Sequence, residues 1–393
     1  MRALHILAVS MLVFGAGRLQ AATCKVLGGK NSVWTYEGEC QEGLAHGRGT
    51  AVSDNGHRYE GEFKQGVMDG EGVYTWPDGS RYQGQMKQGE FEGRGTYTRP
   101  DGTRYEGEWQ KSKRHGQGSH TGPDGKFYEG QWAEDRMNGK GKLRWPDGRI
   151  YEGEFKDGQM EGQGNFSLPD GRRYSGGWKN GLRSGQGEYF WPDGRHYQGE
   201  WKDGEQHGHG VMKWPSGAVY DGEWKNGKRS GRGLMTWPDG RRYQGDFTEG
   251  RIEGQGEYSW PDGRKYSGGW KNGLKEGRGV YLWPDGRRCE CSWKKDQLYG
   301  QGEMFWPDGW RYRGEWRDDK RHGRGELFNE QSGERYEGEF REDLKCGRGK
   351  LTLPDGTRYE GQFYNDLPNG RGTFIFPDGR RVEGLWKDGK QVK

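Results

Sequence analysis

The sequence predicts an all-β protein, an elongated array of successive β-hairpins with a period of 23 residues. Tyr recurs at every 23rd residue from Tyr36 to Tyr266, and self-similarity at a fixed period of this size is typical of repeat proteins. The composition agrees, because 77 Gly residues accompany only 28% hydrophobic residues, too few for a conventional two-layer core. The 14% content of aromatic residues argues against disorder, because disordered chains are poor in aromatics.

The array is expected over residues 36–393, after a signal peptide over residues 1–22 and a lead-in over residues 23–35. Cys289 takes the place of Tyr in one unit, one extra residue precedes Tyr336, and Val382 begins the last, incomplete unit. The chain therefore holds about fifteen and a half units. Positions within a unit are numbered here from its Tyr as position 1.

Each unit contains two strand patterns separated by turn signals. In the unit that begins at Tyr151, positions 1–6 alternate aromatic, acidic and Gly residues with a period of two, which predicts a first strand. Positions 12–18 alternate again, with Gly at 12 and 14 and apolar residues at 16 and 18, which predicts a second strand. Lys-Asp-Gly or Lys-Asn-Gly connects the two strands, and Pro-Asp-Gly follows the second. The unit is therefore a hairpin followed by a tight turn.

The aromatic residues concentrate at a few positions of the unit. Nine of the 19 Trp occupy position 5 and eight occupy position 18, while fourteen of the 21 Tyr occupy position 1. We expect positions 1, 3, 5, 12, 14, 16 and 18 to share one face, where aromatic rings lie over glycines and stack along the array in place of an aliphatic core. The members of this predicted aromatic ladder that we single out are Tyr105, Trp109, Tyr151, Trp191, Trp201, Trp214, Trp237, Trp260, Trp283 and Trp306.

The opposite face carries Arg, Glu, Glu and Lys at positions 23, 2, 4 and 6. Opposite charges two residues apart on a strand are neighbours, so most of these charges are expected to neutralise one another. Removal of residues 1–21 takes away Arg2 and Arg18 and no acid, which lowers the net charge from +4 to +2. Nucleic acid is not an expected partner, because it requires a concentrated basic face.

Position 17 also faces the charged side and is usually Thr or Ser. It is apolar at Phe190, Leu282, Phe305, Phe328 and Ile375, and Leu282, Phe305 and Phe328 stand in consecutive units. An exposed apolar strip of this kind indicates a contact with a protein partner or with a second copy of the chain. Local packing under a loop is the alternative.

The first 22 residues differ in kind from the repeats. A positive start at Arg2, an apolar run from His5 to Gly15 and small residues up to Ala22 are typical of a cleavable signal peptide. The apolar run is too short to span a membrane. The sequence therefore predicts an exported protein, periplasmic or secreted. Cys24 leaves a lipoprotein alternative open, although Thr23 before it fits that alternative poorly.

An exported chain meets an oxidising compartment, where cysteines can pair. Cys24 and Cys40 are candidates for a disulfide that pins the start of the array. Cys289 and Cys291 point to the same face, where a bridge between them would be strained. Cys346 is more than two units away, beyond the usual reach of a disulfide, and is expected to be free unless it pairs between chains.

No set of residues predicts catalysis, a metal site or a cofactor. His115, His207 and His322 share position 11 in units that are not adjacent, which favours an exposed turn position over a metal site. The Asp residues of the Pro-Asp-Gly turns form a row, and we expect them to cap turns rather than to bind cations. An enzymatic function is therefore not expected.

The repeated pattern resembles the MORN repeat. Tyr105–Trp109 (YEGEW) and Tyr336–Phe340 (YEGEF) are close matches, and the resemblance covers roughly residues 34–393. It implies a single-layer, twisted antiparallel sheet of successive hairpins, the MORN-repeat solenoid. Family members tether membranes, scaffold cell structures, dimerise or accompany a catalytic domain, and here no residues remain for such a domain. The signal peptide departs from the best-known members, which work in the cytosol.

The expected function is therefore a non-enzymatic interaction scaffold of the cell envelope, which binds a protein partner or a membrane surface and is a candidate homodimer. The alternative is a module that binds glycan or peptidoglycan, with sugar rings stacked on part of the Trp and Tyr face.

Overall fold

The computed structural model of the protein describes residues 24–28 and 32–392. The predicted signal peptide over residues 1–22 lies outside these ranges. Within them the secondary structure is β-strand and turn, with no helix. The chain divides into two compact units, the first ending at Gln159 and the second beginning at Met160.

The first unit contains eleven strands, and the second contains the remaining twenty-one, of which β12 begins at the last residue of the first unit. The first eleven are β1 Trp34–Gln41, β2 Leu44–Ser53, β3 Arg58–Lys64, β4 Val67–Thr75, β5 Arg81–Lys87, β6 Glu90–Thr98, β7 Arg104–Gln110, β8 Lys113–Thr121, β9 Phe127–Ala133, β10 Arg136–Arg144 and β11 Ile150–Lys156. The others are β12 Gln159–Ser167, β13 Arg173–Lys179, β14 Leu182–Phe190, β15 His196–Lys202, β16 Glu205–Lys213, β17 Val219–Lys225, β18 Lys228–Thr236, β19 Arg242–Thr248, β20 Arg251–Ser259, β21 Lys265–Lys271, β22 Leu274–Leu282, β23 Arg288–Lys294, β24 Gln297–Phe305, β25 Trp310–Arg317, β26 Lys320–Asn329, β27 Arg335–Arg341, β28 Leu344–Thr352, β29 Arg358–Tyr364, β30 Leu367–Ile375, β31 Arg381–Lys387 and β32 Lys390–Val392.

Within each unit, every strand pairs antiparallel with the next strand along the chain. The pairings run from β1 to β11 in the first unit and from β12 to β32 in the second. Strands pack mainly against their neighbours in sequence, so each unit is a single layer. The predicted all-β fold of successive hairpins is confirmed.

The turns follow the sequence signals. Between the two strands of a hairpin, positions 7 and 8 both have positive φ, as at Asn226 (49°) and Gly227 (74°), which is the type I′ geometry that matches strand twist. At the Pro-Asp-Gly turn the N–H of Gly240 donates to the carbonyl of Trp237 over 3.0 Å. The N–H of Trp237 in turn donates to the carbonyl of Arg241 over 2.9 Å, which closes the loop.

A bulge in each hairpin changes one prediction about the faces. In β17 and β18, Gly222 pairs with Gly233 and Trp224 pairs with Arg229, so three residues of β18 stand opposite Glu223. Gly231 lies in this bulge at position 12 with φ of +59°, and a Cβ atom there would collide with the Glu223 carboxylate. The prediction that position 12 shares the aromatic face is therefore wrong: it faces the acidic side, and position 10 takes its place opposite position 5.

The core is one layer of rings laid over glycines. Tyr220 is fully buried, and its hydroxyl donates to the carbonyl of Glu223 over 2.9 Å. A Cβ atom on Gly233 would lie 2.5 Å from the Tyr220 ring, so only Gly leaves room for it. Trp224 donates its indole N–H to the carbonyl of Gly210 of the preceding repeat over 3.0 Å, and its ring stands edge-on to Tyr220 at 5.4 Å. Trp224 thus ties its own hairpin to the one before.

Candidate interaction surfaces

The predicted aromatic ladder occupies two levels of burial. Tyr105, Trp109, Tyr151 and Trp201 are buried. The six Trp residues of the prediction at position 18 are half-buried beside the Pro-Asp-Gly turns: Trp191, Trp214, Trp237, Trp260, Trp283 and Trp306. Burial raises the pKa of the position-1 tyrosines, and that of Tyr174 reaches about 12, because the ring environment disfavours the phenolate. We call the half-buried residues the outer Trp row.

Most of the outer Trp row is covered by a cation. The Arg195 guanidinium lies 5.0 Å from the centre of the Trp191 ring and forms an ion pair with Asp193 at 2.8 Å. The Arg195 backbone N–H also bonds to Asp193 over 3.0 Å and holds the pKa of that carboxyl below its ordinary value. The same arrangement recurs at Trp145, Trp237, Trp260 and Trp283. The Asp residues of these turns therefore cap backbone and hold Arg over Trp.

Trp214 and Trp306 depart from this arrangement. Ala218 and Trp310 stand where the other units have the covering Arg, and Met212 and Met304 stand at position 16. Trp310 has its own backbone bond, since its carbonyl accepts from the N–H of Trp306 over 2.9 Å. Neither Trp214 nor Trp306 has a ring or cation against its face among residues 32–392. Their indole faces therefore carry neither a stacked ring nor a covering cation within this range.

The polar face of the second unit forms a groove of about 1040 Å³. Six carboxylates and three guanidinium groups line it, so acids are in excess: Asp221, Glu223, Asp246, Glu257, Glu290 and Glu303 against Arg232, Arg278 and Arg313. Several are paired, as Arg313 is with Glu303 at 3.1 Å. Neutralisation among the residues that line the groove is thus partial, although Arg288 beside the groove pairs with Glu290.

Position-4 acids on this face also have a structural role. The Glu200 carboxylate accepts the backbone N–H of His209 over 3.1 Å, a donor that the bulge leaves without a strand partner. Gln131 does the same for Lys140 over 2.8 Å. The acceptor oxygen, and not the charge, is therefore what the bulge requires.

The predicted apolar strip lies on the polar face with arginines between its members. Arg288 and Arg311 lie 5.4 Å and 5.0 Å from the centre of the Phe305 ring, and Arg311 lies 6.0 Å from that of Phe328. Leu282 remains 38% exposed. Leu282, Phe305 and Phe328 lie on strands β22, β24 and β26, which belong to successive hairpins. We call these three residues the Leu–Phe strip. Arg288 also pairs with Glu290 of the groove, so strip and groove adjoin.

The two outlying members of the predicted strip are isolated. Phe190 stacks on His196 at 4.2 Å with Arg173 at 5.3 Å, and Ile375 is half-buried on β30. Val52, which is 37% exposed, also occupies position 17 and was missed because it stands alone in its region. The structure thus groups three of the five predicted residues on adjacent hairpins.

The cysteines form two bridges in the structure. Cys24 and Cys40 are bonded with Cα atoms 5.9 Å apart, and Cys289 and Cys291 with Cα atoms 5.4 Å apart. Cys346 is free, and burial raises the pKa of its thiol, which lowers its reactivity.

Groups that could hold a metal ion, three or more His, Cys, Asp or Glu side chains together, do not occur among residues 24–28 and 32–392. His115, His207 and His322 stay on separate hairpins. The same described ranges contain no helix of the length and apolarity that a membrane crossing demands.

The fold and these surfaces define a β-hairpin repeat protein. The MORN-repeat family profile matches fifteen segments: residues 36–58, 59–81, 82–104, 105–127, 128–148, 151–172, 174–194, 197–219, 220–241, 243–263, 266–287, 292–311, 312–328, 336–358 and 359–380. The chain belongs to the MORN-repeat family. These repeats generally mediate interactions with proteins or membranes and are generally non-enzymatic.

Comparison with other proteins adds little to the family assignment. No curated protein matches the chain. Among solved structures, the TCP domain of Drosophila melanogaster SAS-4 is 10% identical and covers 39% of this chain and 85% of its own, with a TM-score of 0.26. The Danio rerio CPAP TCP10 domain is 16% identical over 74% and 99%, with a TM-score of 0.12. The Staphylococcus aureus virginiamycin B lyase is 10% identical over 68% and 83%, also with a TM-score of 0.12. Likeness this low carries no argument about function.

Proposed function

We propose that this chain is a non-enzymatic interaction scaffold of the cell envelope that binds a protein partner through the polar face of its second unit. The observation that carries the proposal is the Leu–Phe strip beside the acidic groove. Exposed apolar side chains beside polar groups are typical of protein interaction sites, and Arg and aromatic residues, which alternate in the strip, are enriched in such interfaces.

The charges of the groove favour a protein over an anionic membrane. Carboxylates exceed guanidinium groups along the groove, so an anionic surface would be repelled at close approach. A partner with basic residues against the groove and apolar residues against the strip would satisfy both regions. The partner chemistry is therefore a basic, partly apolar protein surface.

The cell-envelope setting rests on the signal-peptide pattern over residues 1–22 and is supported by the two disulfides, because disulfides persist in oxidising compartments. Cell fractionation with N-terminal sequencing of the mature chain tests this part. We expect the chain in the periplasm or medium, beginning just after the predicted cleavage. A chain that stays in the cytosol with residue 1 or 2 retained would contradict it.

Site-specific photo-crosslinking tests the partner surface. A benzophenone amino acid replaces Phe305 or Phe328 in the full chain, expressed in the producing cells, and Ser259 serves as the matched control at position 17 of another hairpin. We expect one protein adduct common to Phe305 and Phe328 and absent at Ser259. An adduct of twice the chain mass identifies a second copy as the partner. No adduct, or equal adducts at all three positions, would contradict the proposal.

Co-sedimentation with anionic liposomes tests the membrane alternative. At low and high salt we expect the purified mature chain to stay in the supernatant. Pelleting that salt abolishes would assign the binding to basic side chains, and pelleting that survives salt would assign it to the Leu–Phe strip. Either result would replace the protein partner with a lipid surface.

A further inference from the structure

A pocket of about 450 Å³ opens on the aromatic face of the second unit, where one repeat departs from the pattern of the others. Four Trp side chains line it: Trp283, Trp293, Trp306 and Trp316. Its volume falls within the range of small-molecule sites. It lies on the side of the sheet opposite to the Leu–Phe strip, so it is independent of the proposed protein interface.

The pocket adjoins a repeat that lacks the position-1 tyrosine ring. In a regular repeat such as that of Tyr197, the position-1 ring lies between two position-5 indoles, 5.2 Å from Trp201 and 5.2 Å from Trp224. The corresponding indoles around Cys289 are Trp293 and Trp316. Cys289 is fully buried and bridged to Cys291, so it places no ring between them. Met304 at position 16 also replaces an aromatic residue that several other repeats carry.

Both flanking indoles lack the hydrogen bond of the other repeats. Trp201, Trp224 and Trp270 each donate the indole N–H to the Gly carbonyl of the preceding repeat over 3.0–3.2 Å. Trp293 and Trp316 are each only 6% exposed, yet within residues 32–392 their indole nitrogens meet no acceptor. A buried N–H without an acceptor costs about 1–3 kcal/mol. Both nitrogens are closed off from solvent, so they mark where the ring layer departs from its pattern and are not themselves donors open to a ligand.

The charged groups of the pocket balance. Lys275, Arg287 and Arg321 face it together with Asp296, Asp319 and Asp343. Each of these Asp residues uses Oδ1 to accept a backbone N–H of the preceding repeat, over 2.8–2.9 Å, which leaves Oδ2 as an acceptor. This balance favours a neutral ligand over an ionic one.

The position of Lys275 also argues against a cationic ligand. Its ammonium lies 4.2 Å from the centre of the Trp293 ring, where a ligand cation would otherwise bind. By contrast, no aromatic ring and no cation lies against the Trp306 ring in the described part of the chain. The pocket thus offers one indole face without a stacked ring or cation, carboxylate acceptors, and ammonium and guanidinium donors.

We propose that this pocket binds a neutral carbohydrate, with one sugar ring stacked on Trp306 and its hydroxyl groups bonded to the Asp carboxylates and the Lys and Arg side chains that line the pocket. A pyranose combines an apolar ring face with a rim of hydroxyl groups that both donate and accept. No wholly apolar ligand would use the donors and acceptors, and a charged ligand would disturb the balance of charges.

The repeat pattern itself supplies the decisive variant. The double substitution Cys289→Tyr and Cys291→Gly restores the Tyr-x-Gly of the other repeats, with Gly302 already at position 14 to admit the ring. It places a ring between Trp293 and Trp316, which line the pocket, so it is expected to narrow the pocket and to keep the fold. Trp306→Ala removes the stacking face. Trp214→Ala is the matched control, because Trp214 also sits at position 18 beside a Met and without a ring partner, but does not line the pocket.

Binding is measured with the full mature chain on an array of neutral oligosaccharides that includes cellohexaose, maltohexaose and fully N-acetylated chitohexaose, and then by calorimetry with the oligosaccharide that binds. We expect binding that both pocket variants weaken about tenfold or more and that Trp214→Ala leaves unchanged. If Cys289→Tyr with Cys291→Gly does not fold, Trp306→Ala against Trp214→Ala decides. No binding on the array, or equal affinities of native chain and variants, would overturn the proposal.

Discussion

Replacing Trp201 with Ala should destabilise its repeat strongly, because this indole joins three hairpin strands. It is 4% exposed and donates its N–H to the carbonyl of Gly187 over 3.2 Å. Its ring lies 5.2 Å from Tyr197 and 5.3 Å from Tyr174, with the Arg183 guanidinium 4.4 Å from its centre.

The magnitude follows from these contacts. Truncating a buried Trp to Ala costs about 3–5 kcal/mol. Of that, the hydrogen bond accounts for about 1 kcal/mol and each ring pair for about 0.5–1.5 kcal/mol. We therefore expect Trp201→Ala to lower the local free energy of unfolding by about 4 kcal/mol. Trp214→Ala, at a half-buried position without a ring partner, should lower it by no more than about 2 kcal/mol, since less area returns to water.

The assay is native-state hydrogen exchange by mass spectrometry, with peptides that cover β14 to β16. Local exchange is preferable to a single unfolding midpoint, because repeat arrays need not unfold as one cooperative unit. A loss of about 4 kcal/mol corresponds to exchange about a thousandfold faster. If Trp201→Ala and Trp214→Ala accelerate exchange equally, the position-5 indoles are not the core that we describe.

Three further outcomes are expected. Burial raises the pKa of the Tyr174 hydroxyl to about 12, whereas the unfolded chain loses that proton near pH 10. The contribution of the buried hydroxyl to folding stability is therefore complete below about pH 10 and is lost as the pH rises towards 12. The urea midpoint should therefore fall above pH 10, and fall less steeply in Tyr174→Phe; equal slopes for both chains would contradict this. Glu200→Gln keeps the acceptor for the bulge and should change the urea-derived free energy of unfolding by less than about 0.5 kcal/mol. Gly208→Ala places a Cβ atom against that carboxylate at φ of +56° and should lower the same free energy by about 1–3 kcal/mol. Equal effects of the two substitutions would refute the role of the bulge. Replacing Cys24 and Cys40 with Ser removes a disulfide that spans 16 residues and should lower the stability of the first hairpin by about 3 kcal/mol. Hydrogen exchange in β1 and β2 should then be faster. Unchanged exchange there would show that the disulfide does not stabilise the hairpin.

The repeat period and the turn residues were sufficient to predict most of the fold. The 23-residue spacing of Tyr, the Pro-Asp-Gly turns and the alternation of positions 1–6 predicted hairpins, their order and the face on which Tyr220 and Trp224 lie. These features are local, and they occur in every repeat. A repeated pattern predicts strands well because period-two alternation determines the face on which each residue lies.

The bulge was not predictable from the same alternation. Gly231 follows the period-two pattern in sequence, but its positive φ turns it to the acidic face, and only the pairing of Trp224 with Arg229 reveals this. Simple alternation assumes a regular strand, and an insertion of residues on one side breaks that assumption.

The candidate surfaces were predicted in part for the same reason. Leu282, Phe305 and Phe328 stood out because each replaces a polar residue at a fixed position. The Trp-lined pocket did not, because it depends on several departures that meet in space: Cys289, Met304 and the two indoles without acceptors. Cys289 was noticed in the sequence as a cysteine, and the ring it displaces became evident only from the packing around it.

The scaffold account is tested most directly by the affinity of the crosslinked protein partner for the native chain and for the double variant Phe305→Ser and Phe328→Ser. Calorimetry with purified proteins measures the Kd, and Thr236→Ala with Ser259→Ala is the control at the same position of other hairpins. The account predicts a Kd about tenfold or more higher for the Phe variant, with unchanged hydrogen exchange in β24 and β26 and an unchanged Kd for the control. Equal affinities of the native chain and the Phe variant would contradict it.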